Sequence, residues 1–501
     1  MAAVNLLIGV GGTGAKVVEA ALIASLAGWG CRDLSVAFVD QDESNGNVRR
    51  ARELLRQTEQ LRTLWIAGGR PDRWDASSPI GEGGSLLGSV AARSIDPAHD
   101  LWAPHTEEGT TLGSIFSANV LAREEPRLKS LMDALYSPDA SEQGMELSEG
   151  YRGRPHIGAA AILSRAEQDA PFWRSLREIL RRAQGGQEVR VFLIGSVFGG
   201  TGAAGFPTLA RTLRDMARDA TGQAPNVRVG GALMLPYFGF APPPDDTANV
   251  ARPEHLLRQS RAALKYYHDL FRREHVFDEL YLTGWNPPFQ LGYFAPGSNA
   301  QANPPLLPEL IAAASAVRFF DAARERTDDV ENATFISARN APDGFGWNDI
   351  PAIAPGREAE PYERLGQLLR FCAAWRNTIR PALKSRLFGG DPWYGKQGAK
   401  VKYDRPETVQ NLQALDDTVE RVLEWAAGVQ LFATTGEFGP PGVPRFGLWD
   451  VSPMAMFNPR FDPASGGRPV TLRPPLMDGT AALNAYRRIV FARDEVSQPP
   501  D

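Results

Sequence analysis

Cysteine is almost missing: Cys31 and Cys372 are the two in 501 residues, far apart and in apolar surroundings. That excludes a disulfide framework and every zinc pattern built on paired cysteines, and makes a reducing cytoplasm the simplest home. An excess of basic charge is missing too. Lys and Arg number 54 against 59 Asp and Glu, a formal net charge of -5. The basic residues are spread along helical segments rather than gathered in a stripe, so the phosphate-backbone grip of a nucleic-acid binder is not expected, and Arg181 and Arg182 read as a solvated helix end. The six histidines form no spaced cluster. No apolar run approaches the roughly 20 residues that a membrane helix needs. The start, MAAVNLLIGVGG, passes from an apolar strand straight into glycines with no basic leader or cleavage site, so neither secretion nor a membrane span is expected.

What is present is the balance of an ordinary globular protein, 43% hydrophobic and 23% charged, which should fold without a partner. The length suits two or three domains, each able to bury a core.

Val4 to Val10 is a continuous apolar run, the mark of a strand covered on both faces of a parallel sheet. Gly9 to Gly14 turn it into a helix over Ala15 to Leu26, and Leu34 to Val39 is a second buried strand ending in the acidic turn Asp40, Gln41, Asp42, Glu43. Strand, glycine turn, helix and strand make one right-handed crossover unit. Between 63 and 150 the pattern weakens into Gly, Ser, Pro and Asp-rich stretches with short helical pieces, which read as an insertion on the sheet's edge.

Order returns with GYRGRPHIGAAAILSR, a helix around 170–183, the strand Val189 to Ile194, the glycine cluster Phe198 to Gly205 and a helix over Phe206 to Ala217. Strands at 227–235 and 278–283 flank a helix around 256–271, and a long apolar helix covers about 306–324. Beyond 330 the texture changes to a strand-like piece at 333–338, helices near 363–387 and 407–432, and a Pro/Gly-rich tail. The expected class is α/β, a mostly parallel sheet flanked by helices. Its division would be a nucleotide-binding domain (1–304), a central helix (305–330) and a helix-rich C-terminal region (331–501).

A phosphate needs backbone N–H groups aimed at it without side chains in the way, and glycines at a strand-to-helix turn supply them together with a favourable helix dipole. Gly9, Gly11, Gly12 and Gly14 meet that need. Taken alone, this G-x-G-x-x-G is equally the fingerprint of a dinucleotide fold, with Asp40 as its acidic residue. The second cluster, GSVFGGTGAAGFPTLAR, again follows a buried strand and opens a helix, and a dinucleotide fold has no use for a second phosphate cradle.

At this point the sequence resembles the FtsZ/tubulin superfamily, whose signature is a run of glycines around a threonine at a helix start. Gly199, Gly200, Thr201, Gly202, Ala203, Ala204 and Gly205 match it, with Ala203 and Ala204 departing from the usual pattern. GVGGTG, with Gly11, Gly12, Thr13 and Gly14, is similar to the family's first loop, and AFVDQDE to tubulin's second, which would put Asp40 and Asp42 near the phosphates and magnesium. GRPHIGAAA sits where the family keeps its γ-phosphate-sensing loop, here Gly153 to Ala159 and including Gly158. LMLPYFGF resembles the sugar-side loop, and LYLTGWN puts Asn286 where the family has a base-contacting asparagine.

The resemblance implies GTP or GDP with Mg²⁺, the metal held through water by Asp40 or Asp42, the phosphates by main-chain amides and the Thr201 hydroxyl. It also implies head-to-tail self-association, with an acidic residue completing hydrolysis in the next subunit. The nearest candidate is Asp349 in GFGWNDIP, although a strand-like segment intervenes and the family's pair of acidic residues is absent. A rival arrangement is a nucleotide-binding subunit of a larger complex, docked through the C-terminal helices.

Blander readings stand beside these. Asp40 and Asp42 also suit a strand-end turn capping the next helix. His156 reads as a loop surface residue. Lys16 lacks the gap and the following Ser or Thr of a Walker loop and reads as a solvated helix face. Trp285 and Tyr237 read as packing. GVGGTG followed by VDQDESNGNVRR also resembles ubiquitin-activating-type adenylating enzymes, though their zinc-binding CxxC pairs are absent, and a nicotinamide oxidoreductase is a further alternative.

Overall fold

The computed structural model describes residues 3–29, 33–67, 91–136, 138–148, 150–151, 154–166, 170–221, 226–241, 253–285, 288–293, 301–320, 333–337, 350, 360–376, 380–383 and 403–434. In chain order its strands are β1 (Val4–Val10), β2 (Asp33–Val39), β3 (Ala91–Ser94), β4 (Leu101–Trp102), β5 (Val189–Ser196), β6 (Val227–Met234), β7 (Phe238–Ala241), β8 (Glu279–Thr283), β9 (Phe289–Tyr293) and β10 (Ala333–Ser337). The principal helices are α1 (Gly11–Leu26), α2 (Gly46–Ala67), α3 (Pro155–Arg165), α4 (Pro171–Arg181), α5 (Gly200–Thr221), α6 (Pro253–Arg273), α7 (Leu307–Phe320), α8 (Glu360–Ala374) and α9 (Pro406–Thr434). Short helical turns fill the stretch from Leu112 to Gln143.

β1 and β5 are buried at every residue, as runs of Val, Leu and Ile must be when helices cover both faces of a sheet. The main sheet runs β10-β8-β6-β5-β1-β2-β3, with β4 also on β2, and its ladders are parallel. From β1 the chain moves outward through β2 to the edge, then returns to lay β5 on the other side of β1. Right-handed crossovers in these opposite directions put α1 and α5 on opposite faces. They also make the β1/β5 boundary a topological switch point, where open α/β sheets bind ligands beyond the carboxyl ends of the strands.

One expectation is corrected here. The stretch read as an insertion on the edge supplies the edge itself: β3 extends the first half of β2, and β4 its second half. The acidic turn is followed at once by α2, capped by Asn45, whose buried Val48, Ala51, Leu54, Leu55 and Leu61 recur at helical spacing.

α1 packs against α2 and α7, while α5 packs against α3 and α4. Because α1 has neighbours on all sides, nearly all its residues are buried. The described C-terminal helices close this layer, α9 lying on α2 and α8, and their apolar faces join the same core as the strands. Cys372 of α8 is fully buried, and burial pushes its thiol pKa up. β10 pairs with β8, so the sheet gains a strand beyond the expected boundary near 330. No described helix is long and apolar enough to cross a membrane.

Candidate functional site

The two glycine turns meet. Gly11 opens α1 with φ +72°, the left-handed region that glycine adopts without a Cβ clash. A Cβ there would lie 3.1 Å from the Gly202 backbone nitrogen and 3.6 Å from the Thr201 Cβ, so the absence of a side chain is what lets the turns touch. Gly14 and Gly202 are spent on packing. A Cβ on Gly14 would come within 2.6 Å of the Ile194 carbonyl oxygen, and one on Gly202 within 2.9 Å of the Ser196 nitrogen.

The groups left open are Gly12, Thr13, Gly199 and Gly200, each partly exposed beside buried neighbours. No side chain caps α1 at Val10, and neither α1 nor α5 has an acidic residue in its first turn. Two helix N-termini with accessible main-chain amides therefore adjoin one another, and the dipoles of both favour an anion there.

The acidic turn at the end of β2 completes the junction. Asp40 Oδ1 accepts from the Thr201 hydroxyl at 3.0 Å, and its Oδ2 from Asn45 Nδ2 at 3.2 Å. Asn45 in turn faces Gly12, where a Cβ would sit 2.9 Å from the same amide nitrogen. Burial is the larger effect on the Asp40 carboxyl, pushing its pKa up to about 7; the Thr201 bond opposes this and the nearby Asp42 adds to it. Asp42 closes a local turn, accepting from the Ser44 nitrogen at 3.0 Å and the Ser44 hydroxyl at 2.6 Å. Among the described residues no group of three or more His, Cys, Asp or Glu is placed to hold a metal by itself.

The edge segment pins this turn. The Phe38 and Asp40 amides donate to the Asp100 and Trp102 carbonyls. The Gln41 side chain donates to the His105 carbonyl and accepts from the Tyr151 hydroxyl. The role of 91–105, opaque in the sequence, is to hold the acidic loop.

Several side chains stand where no motif points. Asn45 Nδ2 also donates to Gln301 Oε1 at 2.9 Å, Asn47 Oδ1 accepts from the Asn303 amide at 2.8 Å, and Arg50 bonds both the Asn303 carbonyl and Glu19. The segment before α7 is thereby fastened beside the acidic turn. A run of small amides, SNGN, directly after the acidic turn is the signal that could have found Asn45 and Asn47.

Lys16, expected on a solvated face, is buried and ion-paired with the equally buried Glu309 at the start of α7. Burial lowers its pKa and Glu309 opposes that. Tyr237 packs as expected, T-shaped on Phe238 and Phe198, but its hydroxyl also donates to Glu309 Oε1 at 2.7 Å.

Gly158 and Ala159, expected on a phosphate-sensing loop, lie instead inside α3, where Pro155 occupies the first turn. A Cβ on Gly158 would meet Tyr151 at 2.6 Å and Ala204 at 2.7 Å, so this glycine lets α3 approach α5. His156, at the exposed start of α3, stacks on Tyr136. Asn286 and Asp349 lie outside the described residues, as does Gly153.

Residues 114–252 match a family model described as tubulin like. The matched stretch holds α3, α4, β5, the second glycine turn, α5 and β6, and the first glycine turn and the acidic loop are folded against it from outside. No curated protein matches the chain.

Proposed function

We propose, for a chain that belongs to the tubulin/FtsZ-like superfamily, that it binds a guanine nucleotide with Mg²⁺ where β1, β2 and β5 end. The observation that carries this reading is the approach of Gly11 to the Gly202 backbone. A dinucleotide fold uses one glycine turn at one helix start. Two contiguous turns suit the longer, more highly charged chain of a nucleoside triphosphate.

The residues fit such a ligand. The amides around Gly12, Thr13, Gly199 and Gly200 are accessible, and Thr201 holds its hydroxyl at the junction. Asp40 is buried among neutral donors, with its pKa raised; a cation beside it would favour its charged form. Asp40 and Asp42 would hold Mg²⁺ through water, and the ion would neutralise phosphate charge. Guanine selectivity, the base contact at Asn286, head-to-tail self-association and completion of hydrolysis by Asp349 rest on the family likeness.

The test is the nucleotide itself. Mass spectrometry of the ligand released from purified protein, with calorimetric titration of GTP, ATP and NAD⁺ in Mg²⁺, should find GTP or GDP bound in preference. Bound NAD⁺, or ATP with pyrophosphate exchange, would replace the reading with a dinucleotide or adenylating site. Sedimentation with GTP against GDP tests self-association separately, and a chain that stays monomeric with GTP removes that part while leaving the pocket.

A further inference from the structure

We propose that the Asn47 carboxamide is a further binding group of the nucleotide site, donating from Nδ2 to a phosphate oxygen of the ligand beside Gly12. This rests on the nucleotide reading above and deepens it, adding the start of a third helix, α2, to the two glycine turns.

Asn45 and Asn47 flank the first residue of α2, and both turn their amide nitrogens toward the first glycine turn. A Cβ on Gly12 would lie 2.9 Å from Asn45 Nδ2 and 3.2 Å from Asn47 Nδ2, so the missing side chain of that glycine leaves room for the pair. The two carboxamides are spent differently. Asn45 uses both of its polar atoms: Nδ2 donates to Asp40 Oδ2 at 3.2 Å and to Gln301 Oε1 at 2.9 Å, while Oδ1 accepts from the Asn47 amide at 2.9 Å. Asn47 uses only its oxygen, which accepts from the Asn303 amide at 2.8 Å. That bond fixes which way the carboxamide faces, because of its two ends only the oxygen can accept from a main-chain N–H. The nitrogen, with two N–H donors, has no hydrogen-bond partner among the described residues. Asn47 is 2% exposed, whereas Gly12 beside it is open to the site.

A donor taken out of water and left unmatched is costly, so the nitrogen is kept for an acceptor that arrives with the ligand. The choice of amide over acid says which acceptor. Aspartate at 47 would hold the Asn303 amide equally well and would suit a helix start better, since negative charge is favoured there. Yet the first turn of α2, like those of α1 and α5, has no acidic residue, although Asp40, Asp42 and Glu43 crowd the loop just ahead of it. A sugar hydroxyl would be served by an acid as well as by an amide, because it can donate. A phosphate oxygen only accepts, so it is repelled by the acid and matched by the amide.

Asn47→Asp tests this, with a fluorescent GTP analogue and Mg²⁺ as the probe. The variant keeps the shape of the side chain and its bond to Asn303, so urea unfolding without nucleotide is expected at the wild-type midpoint or above it. Binding of the probe should weaken about a hundredfold, because a donor to an anion has become a like charge. Asn47→Ala, which removes the donor without adding charge, should bind about tenfold more weakly. Wild-type affinity in either variant would overturn the assignment. If Asn47→Asp fails to fold, the wild-type protein labelled with ¹⁵N at asparagine decides. The Asn47 side-chain NH₂ signals, identified by their loss in Asn47→Ala, should shift when GDP is added, and signals that stay in place overturn the contact. Wild-type protein that binds neither GTP nor GDP brings down the nucleotide reading and this role with it, whereas equal binding by wild type and variants brings down this role alone.

Discussion

Thr201 donates its hydroxyl to Asp40 Oδ1 at 3.0 Å, joining the second glycine turn to the acidic loop through two buried side chains. With Asn45 on the other carboxylate oxygen and Gly12 against Asn45, Asp40 is in contact, directly or through one residue, with every loop of the proposed site. Removing the hydroxyl should therefore be felt in binding more than in bulk. Thr201→Val leaves a buried acceptor short of a donor, a loss of roughly 1–3 kcal/mol, and should weaken GTP binding at least tenfold in calorimetric titration. Thr201→Ser should bind as wild type.

Asp40 also makes a pH prediction for the unliganded protein. Burial raises its carboxyl pKa from the ordinary 3.8 to about 7 in the folded chain, so between these values the unfolded state releases a proton that the folded state keeps. Stability is then highest below about pH 4, falls as pH rises toward 7, and levels off above it, by an amount on the order of a few kcal/mol. Urea unfolding at intervals from pH 4.5 to 8 should show this decline, and Asp40→Asn should flatten it. A wild-type slope retained in Asp40→Asn would assign the decline to other groups.

Gly11→Ala should fail for two reasons that act together. A residue with a Cβ at φ +72° costs about 1–2 kcal/mol, and the new methyl would press on Gly202 at 3.1 Å. The expected outcome is a lower melting temperature with GTP binding reduced beyond what the loss of folded protein explains. A stable variant that binds normally would show that the two turns need not touch.

The Lys16–Glu309 pair predicts an asymmetry. Lys16→Met strands a buried carboxylate and should cost about 3–5 kcal/mol in chemical denaturation. Adding Glu309→Gln should recover part of that loss, because the remaining side chains are neutral. If the double variant is no better than the single one, the pair is not the reason for the loss.

The sheet was legible in the sequence where two signals coincided. An apolar run ending in glycines marks the strand and the coming helix, but the helices expected from Ala15 and Phe206 begin at Gly11 and Gly200, because the glycines themselves form the first turns. α2 is marked in the sequence by its periodic Val48, Ala51, Leu54 and Leu61 and by Asn45 just ahead of it, whose Oδ1 caps the helix by accepting from the Asn47 amide at 2.9 Å. β3 and β4 are four and two residues long, too short for alternation to register, and they become strands only because β2 offers an open edge. Asn45, Gln301 and Glu309 reach the site from positions whose proximity is created by the fold, so no spacing along the chain announces them. Lys16 was misread for the opposite reason. Its local sequence suits a wet helix face, and its burial comes from α2 and α7 closing over α1 together.

β1 lies between β2 and β5 and gives hydrogen bonds to both. Trimming the polypeptide to the tubulin-like stretch, 114–252, would remove this central plank and keep only β5 and β6 of the main sheet. Two strands bare on both outer edges, β5 without β1 and β6 without β8, do not make an independently stable sheet, and the bare edges would invite pairing with other molecules. A shortened version meant for laboratory work must therefore begin ahead of Val4, or it will yield an aggregate in place of a pocket.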